Sequence, residues 1–181
     1  DVDTLVVIDD SIVRGTTLKE SIVKMLSRLK PKKIIIVSSA PQIRYPDCYG
    51  IDMSKMGDFI AFKAAIALLK DRGKLGLLDD LLRKCKELDR SNQLHTENVV
   101  KQIYSPFSPE EIAAKIAQLI TPDDVQLPVE VIFQTIENLH DACPANKGDW
   151  YFTGNYPTPG GNRVVNRAFI NFMEGKDVRG Y

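Results

Sequence analysis

The stretch that decides the fold is Leu5-Val6-Val7-Ile8-Asp9-Asp10-Ser11-Ile12-Val13-Arg14-Gly15-Thr16-Thr17. Its first four residues are apolar and mostly β-branched, which is typical of a strand buried on both faces of a parallel sheet. Two adjacent carboxylates repel each other and cannot be buried unpaired, so we expect the strand to end at Asp9. Asp9 and Asp10 then lie at the carboxyl end of a strand, where open α/β sheets bind their ligands.

The residues that follow the two aspartates are suited to hold a phosphate group. Gly15 permits a positive φ or a close approach of the backbone. Thr16 or Thr17 can cap the next helix, which would direct free N–H groups and the positive end of the helix dipole into the turn. The sequence therefore predicts a phosphate-binding turn from Ser11 to Thr17.

The spacing of apolar residues predicts an α/β fold. A strand at residues 4–8, a helix at 17–30 and a strand at 34–38 would form a βαβ unit, which requires a parallel sheet. The apolar stripe expected on that helix is Leu18, Ile22, Met25, Leu26 and Leu29. Further helices are predicted at 58–70, 77–88 and 109–120, the last opened by a capping box at Ser108. Residues 129–139 fit a helix or a strand, and 142–161 predict a tail that wraps a surface.

Composition limits the classes of protein and partner. The chain has 181 residues, 44% of them hydrophobic and 27% charged, with a formal net charge of zero. This suits one globular domain, and neither a basic stripe nor a basic amphipathic helix indicates nucleic acid or an anionic membrane. The three cysteines are Cys48, Cys85 and Cys143. Their odd number and wide spacing favour a reducing compartment, and with no signal-like or membrane-spanning run we expect a cytoplasmic protein.

Three segments resemble one family. Asp9 to Thr17 is similar to the phosphoribosyl pyrophosphate (PRPP) signature of the type I phosphoribosyltransferases. Within that group, its exact residues resemble those of the glutamine-dependent amidophosphoribosyltransferases. Ser39 to Pro46, continued by Tyr49-Gly50-Ile51-Asp52-Met53, resembles the segment after the next strand in the amidotransferases. Phe152 to Thr158 resembles their carboxy-terminal Phe-Thr-Gly-x-Tyr-Pro-Thr. The order of the segments agrees, whereas residues 70–150 resemble the family weakly.

The resemblance implies a partial type I phosphoribosyltransferase fold, a parallel sheet with flanking helices, plus a helical and loop-rich carboxy-terminal extension. Residues 1–70 would be the second half of the transferase domain and residues 71–181 the extension that packs on it. The first half of that domain is expected to be missing, since only three residues precede Thr4, and so is the family's amino-terminal glutaminase domain, whose first residue is a nucleophilic cysteine while this sequence starts with Asp1. We therefore expect this chain alone to be inactive, with an unpaired sheet edge beside the first strand through which it could pair with another copy.

The resemblance also implies an activity: transfer of glutamine-derived ammonia to PRPP, the first step of de novo purine synthesis. In the family pattern Asp9 and Asp10 face the ribose hydroxyls and a Mg²⁺ ion. The 5′-phosphate would be held by Ser11, Ile12, Val13, Arg14, Gly15, Thr16 and Thr17 through backbone N–H groups and hydroxyls. No general base is evident. Family members also bind purine nucleotides, whose phosphate can use the same turn, and form homo-oligomers.

Some family members hold an iron–sulfur cluster through cysteines. Here Gly148 and Tyr151 stand at the positions of the family's Cys-x-x-Cys pair, and Cys48 is one place away from the pattern's cysteine. We therefore predict no cluster and three ordinary buried or half-buried thiols. His95 and His140 have no partner at ligand spacing, which favours structural or surface roles.

Simpler interpretations remain for several residues. Arg14 is slightly better explained as a solvated loop arginine, and Tyr45, Tyr49 and Asp52 could simply staple a loop. Two other functions also fit the phosphate turn: a base-salvage phosphoribosyltransferase, which would not explain the second and third segments, and a nucleotide-binding regulatory module without chemistry.

Overall fold

The computed structural model describes residues 3–50, 52–145 and 148–180. Asp1 and Ile51, which the sequence interpretation used, lie outside the described residues. The strands found there are β1 (Thr4–Asp9), β2 (Lys33–Ser38) and β3 (Val129–Phe133). All pairs are parallel in the order β1-β2-β3, with Leu5 beside Ile34 and Ile36 beside Val131. The predicted α/β class and parallel sheet are confirmed.

Helices connect and cover the strands. A π-helical segment (Leu18–Ile22) runs directly into helix α1 (Val23–Ser27), and a 3₁₀ turn (Met56–Asp58) precedes helix α2. The remaining helices are α2 (Ile60–Asp71), α3 (Gly76–Arg90), α4 (Lys101–Tyr104), α5 (Pro109–Ile120), α6 (Ile136–Ala142), α7 (Trp150–Thr153) and α8 (Pro159–Met173). The capping box is confirmed, because Glu111 N–H donates to Ser108 Oγ and Ser108 N–H donates to Glu111 Oε2. No helix in the described ranges is long and apolar enough to cross a bilayer.

One hydrophobic core joins the first 70 residues to the rest of the chain. Ile34 and Ile36 of β2 share it with Ile112 of α5, and the ring of Phe62 meets that of Phe169 at 6.4 Å between centroids. Residues 71–181 therefore do more than pack helices on the sheet, since they also supply β3.

Helix α8 was not predicted from the sequence. The proline, glycine and asparagine content of residues 142–161 predicts an irregular tail, yet the helix begins within it at Pro159, because proline is favoured at the first helical position. Gly161 lies under the ring of Tyr156, where a Cβ atom would come within 2.3 Å of Cγ. The glycine is thus explained by close packing.

The prediction that β1 is buried on both faces is wrong. Val6 is 59% exposed and Ile8 is 76% exposed, and because alternate side chains of a strand share a face, one face of β1 is open to solvent. Within the part of the chain that the structure describes, β1 is the outer strand and pairs with β2 alone, so the expected unpaired edge is present there.

The predicted apolar stripe on the following helix is also partly wrong. Leu18 and Val23 are buried, but Met25 and Leu29 are mostly exposed. Val23 N–H donates to Leu18 C=O, five residues back. This π-helical spacing adds a residue to the turn and shifts the buried face away from the positions that α-helical spacing predicts.

Candidate functional site

The two aspartates lie where the sequence placed them, at the carboxyl end of β1. Asp9 C=O accepts from Ser39 N–H at 2.9 Å, and Asp10 C=O accepts from Ala40 N–H at 3.1 Å and from Ser39 Oγ at 3.1 Å. The segment after β2 thus continues the ladder beyond β1 and holds the backbone of the acidic pair.

Each carboxylate also accepts from the next residue in the chain. Asp9 Oδ1 accepts from Asp10 N–H at 2.9 Å, and Asp10 Oδ1 accepts from Ser11 N–H at 2.6 Å. These bonds use one oxygen of each carboxylate and leave the side chains half-buried at Asp9 and exposed at Asp10. They also occupy the Ser11 N–H, one of the donors predicted for a phosphate.

Gly15 allows the turn to enter the helix. Its φ is +70°, and a Cβ atom there would lie 3.0 Å from Ile120 Cγ2 and 3.3 Å from Ile60 Cγ1. The helix begins directly after it, with Lys19 N–H donating to Gly15 C=O at 3.0 Å. The N–H groups before Lys19 in this first turn have no carbonyl four residues back within the helix.

The two threonines were expected to cap this helix, and the structure differs. Residues 16 and 17 are already helical, and the Thr17 side chain makes no capping hydrogen bond. Thr16 and Thr17 are both exposed. Their hydroxyls therefore face solvent at the mouth of the turn, beside the first N–H groups of the helix.

Inside the turn, apolar residues anchor the backbone. Ile12 is buried in the core, and Ile60 N–H donates to Val13 C=O at 2.7 Å, which ties the turn to the start of α2. The structure therefore brings the nine predicted residues together as one turn, with Ile12 facing inward and Asp10, Thr16 and Thr17 facing outward.

Arg14 points to neighbouring carboxylates. Its Nη2 lies 3.2 Å from both carboxylate oxygens of Asp52 and 3.3 Å from Asp58 Oδ2. The hydrogen bond to Asp52, with the charges of both aspartates, raises the pKa of Arg14. The pKa of Asp52 is lowered mainly by the N–H of Met53 and then by Arg14. Arg14 is an exposed loop arginine, as the simpler interpretation predicts, and its guanidinium also contacts the loop around Asp52.

The second and third resemblance segments contact each other. Tyr156 OH of the third segment donates to Pro46 C=O of the second at 2.7 Å. Tyr151, the residue directly before the third segment, accepts at its C=O from Arg44 N–H and Tyr45 N–H at 2.9 and 3.1 Å. Tyr45 and Pro46 are buried. The third segment therefore packs against the second, which is the segment that leaves β2.

Asp47 is a buried acidic residue that the sequence analysis did not single out. It is fully buried, and its carboxylate accepts from Tyr151 OH at 2.8 Å and from Tyr49 N–H at 2.9 Å. Burial, followed by the bond to Asp47, raises the pKa of Tyr151 to about 12. No sequence signal marks Asp47, because its partner Tyr151 is remote in the chain.

The cysteines and histidines have ordinary surroundings, with one correction. Cys85 is buried, which raises its pKa to about 12, and Cys48 is half-buried. Cys143 is exposed, contrary to the expectation of three buried or half-buried thiols. His140 Nε2 lies 3.0 Å from Asp149 Oδ2, and His95 C=O accepts from Asn162. Among the described residues no three His, Cys, Asp or Glu side chains cluster as metal ligands.

Comparison with known proteins supports the resemblance. No family model matches the chain. The amidophosphoribosyltransferase of Pasteurella multocida (strain Pm70) is 52% identical over 58 residues, which are 32% of this chain and 11% of that protein. The Escherichia coli (strain K12) enzyme is 47% identical over 57 residues, 32% of this chain and 11% of the relative. The Schizosaccharomyces pombe enzyme is 39% identical over 87 residues, 45% of this chain and 16% of the relative.

The matches thus span between about a tenth and a sixth of the length of these relatives. Over that part of its length, the chain is similar to the amidophosphoribosyltransferases, as its motifs predicted.

Proposed function

We propose that this chain carries the PRPP-binding turn of an amidophosphoribosyltransferase, which transfers glutamine-derived ammonia to PRPP and yields 5-phosphoribosylamine and pyrophosphate. The observation that carries the proposal is the open turn after β1, where Asp9 and Asp10 are held by the segment after β2 and the exposed Thr16 and Thr17 stand at a helix start. The curated relatives bear the name of this activity. Because they are much longer than the match, we also propose that the chain works as a carboxy-terminal part of a longer protein, with residues 1–70 as the second half of its transferase domain.

In the proposed reaction the ammonia nitrogen forms a bond to the anomeric carbon of PRPP, the bond from that carbon to the pyrophosphate oxygen breaks, and the nitrogen releases a proton. The protein must hold the ribose rigidly, because positioning lowers the barrier of such a displacement. We assign Asp9 and Asp10 to the ribose hydroxyls. Their backbone carbonyls accept from Ser39 and Ala40, which fixes the main chain that carries both carboxylates.

The 5′-phosphate is assigned to the rest of the turn. We propose contacts from the Ser11 hydroxyl and from the N–H groups and hydroxyls of residues 12–17, since the Ser11 N–H is bonded to Asp10. Arg14 contributes its backbone while its guanidinium stays on neighbouring carboxylates. Helix N-termini favour such anions because their first N–H groups are unpaired and the dipole is positive there. A purine nucleotide could place its phosphate in the same turn.

Asp9 and Asp10 also suit Mg²⁺, which is commonly held by one or two carboxylates together with phosphate oxygens and water. Each keeps an oxygen that is not used by the backbone bonds described above. When bound, the ion would neutralise the pyrophosphate leaving group. A cytoplasmic location, homo-oligomers and the absence of an iron–sulfur cluster stay predictions.

Binding can be tested on the 181-residue chain. Guanosine 5′-monophosphate, with and without Mg²⁺, should shift the backbone amide resonances of Ser11 to Thr17 in ¹⁵N-correlation spectra. Guanosine serves as the matched ligand without phosphate and should leave them unchanged. Equal shifts with both ligands, or shifts confined to other residues, would contradict the placement of the phosphate.

The role of the carboxylates is tested in the longest form of the protein that the gene encodes. Asp9→Asn and Asp10→Asn should each weaken PRPP binding by about tenfold to a hundredfold, since each loses a charge-assisted interaction of about 1.5–3 kcal/mol. Glutamine hydrolysis should persist, and the exposed Asp79→Asn provides a control. An equal loss of PRPP binding and of glutamine hydrolysis in variants that remain folded would refute the assignment.

A further inference from the structure

A large cavity lies beside the free edge of β3, between that strand and helices α5 and α6. Its volume is about 960 Å³, within the range of small-molecule sites. The walls are largely apolar. Residues that form them include Pro41, Ala113, Ala117, Val131, Phe133 and Phe152. Residues 9–17 do not line it, so this cavity is separate from the proposed PRPP turn.

One cation, Arg44, lines this apolar space. Its Nε and Nη2 donate to Gln42 Oε1 at 3.1 and 2.6 Å, and its guanidinium lies 5.3 Å from the ring centroid of Tyr104. Across residues 3–50, 52–145 and 148–180, no ion pair forms between Arg44 and a carboxylate. Burial lowers the pKa of Arg44, so the guanidinium is partly desolvated without a neutralising charge.

The guanidinium is also held in place. Gln42 is buried and its Nε2 donates to Pro109 C=O at 2.7 Å, which fixes the amide that orients Arg44. The backbone of Arg44 is bound by Tyr151 and by the hydroxyl of Tyr104, at 2.9 and 2.7 Å. A cation that is already oriented loses little freedom when an anion binds to it.

The rim of the cavity carries the opposite charge. Glu110, Asp123 and Glu137 are exposed there, and Glu130 is paired with Lys33. A ligand with one negative charge can reach Arg44 while its apolar body contacts the apolar walls of the cavity. A dianion such as a phosphate monoester would bring a second charge close to these carboxylates and be disfavoured.

We propose that the cavity binds a small monocarboxylate with an apolar or aromatic body, whose carboxylate lies on Arg44. The test compares 2-naphthoate with two ligands that share its naphthyl group, neutral 2-naphthamide and cationic 2-naphthylmethylammonium. The affinity of each for the 181-residue chain is measured by calorimetric titration. Naphthoate should bind at least about tenfold more tightly than naphthamide, as a charge-assisted contact predicts. 2-Naphthyl phosphate should bind more weakly than naphthoate. Equal binding of acid and amide, tighter binding of the ammonium, or preference for the phosphate would overturn the proposal.

Two variants locate the site. Arg44→Gln should reduce naphthoate affinity to that of naphthamide, whereas the exposed Arg83→Gln should leave both unchanged. Ala113→Phe, which fills part of the cavity, should weaken naphthoate and naphthamide by a similar factor. This second variant keeps the test decisive if Arg44→Gln does not fold, because full naphthoate binding to a folded Ala113→Phe protein would place the ligand elsewhere.

Discussion

The segments that follow β1 and β2 leave the same edge of the sheet and have opposite surroundings. After β1, residues 9–17 form a turn whose side chains are mostly half-buried or exposed. After β2, residues 41–47 are buried except for the half-buried Arg44. Both segments resemble the amidophosphoribosyltransferases in sequence, so resemblance alone does not distinguish a ligand-facing segment from a structural one.

The difference lies in what each segment bonds to. The turn after β1 is held mainly through its backbone, by Ser39, Ala40 and Ile60. Of its side chains, Arg14 bonds neighbouring carboxylates, whereas the two threonines stay exposed. The segment after β2 uses its side chains and backbone to bind α5 and the 151–156 region. We therefore expect substitutions in the second segment and its partners to reduce stability, and substitutions in the turn to reduce ligand binding.

The largest expected effect on stability is at Gly154, which packs on the buried segment. Its φ is +69°, and a Cβ atom would lie 2.5 Å from Asn98 Nδ2 and 2.9 Å from Tyr45 Cζ. Gly154→Ala should lower the free energy of unfolding by about 2–4 kcal/mol, the sum of left-handed strain and overpacking. The measurement is chemical denaturation.

Gly73 is the matched control for Gly154. It also follows a helix with a positive φ, of +65°, but a Cβ atom at this position would meet nothing within 4 Å. Gly73→Ala should cost only about 1–2 kcal/mol, from backbone strain. If the two variants are equally destabilised, the close packing of residue 154 on Tyr45 contributes nothing.

A smaller effect is expected at Tyr151, which donates to the buried carboxylate of Asp47. Tyr151→Phe removes a hydrogen bond to a charged group and should cost about 1.5–3 kcal/mol. Tyr156→Phe removes a bond to the neutral Pro46 carbonyl and should cost about 0.5–1.5 kcal/mol. Denaturation curves of both variants at the same pH give the comparison, and a larger loss at Tyr156 would contradict the ranking.

The smallest effect on stability is expected at Arg14, in the turn. Arg14 and Asp52 are exposed and Asp58 is half-buried, and water screens such ion pairs so that they contribute little. Arg14→Gln should therefore change the unfolding free energy less than either tyrosine substitution does. It should instead raise the pKa of Asp52, measured by NMR titration, while the Met53 N–H keeps that pKa below its ordinary value.

The pH dependence of this pair has a definite sign. Because the pKa of Asp52 is lowered in the folded chain, its contribution is present above the pKa of the unfolded state and is lost as pH falls through the folded pKa. Arg14→Gln should reduce the loss of stability on acidification. An unchanged Asp52 titration in the variant would show that Arg14 does not hold this loop in solution.

Several features follow from local sequence alone. The strands that became β1 and β2, the capping box at Ser108 and the positive φ of Gly15 depend on residues close together in the chain, so their prediction succeeded. The position of Asp9 and Asp10 follows for the same reason, since an apolar run that meets a pair of carboxylates ends there.

Other features depend on partners that the sequence does not reveal. Helix α8 starts with Pro-Gly-Gly, and only the ring of Tyr156 explains Gly161. The burial of Asp47 depends on Tyr151, and the half-buried charge of Arg44 depends on Gln42 and Tyr104. The sequence by itself determined β1 and β2, the acidic strand end and the glycine of the turn, whereas it left β3 open as a helix or a strand. Tertiary structure decided which segment after a strand is open and which is buried, because burial is set by long-range packing that no local pattern encodes.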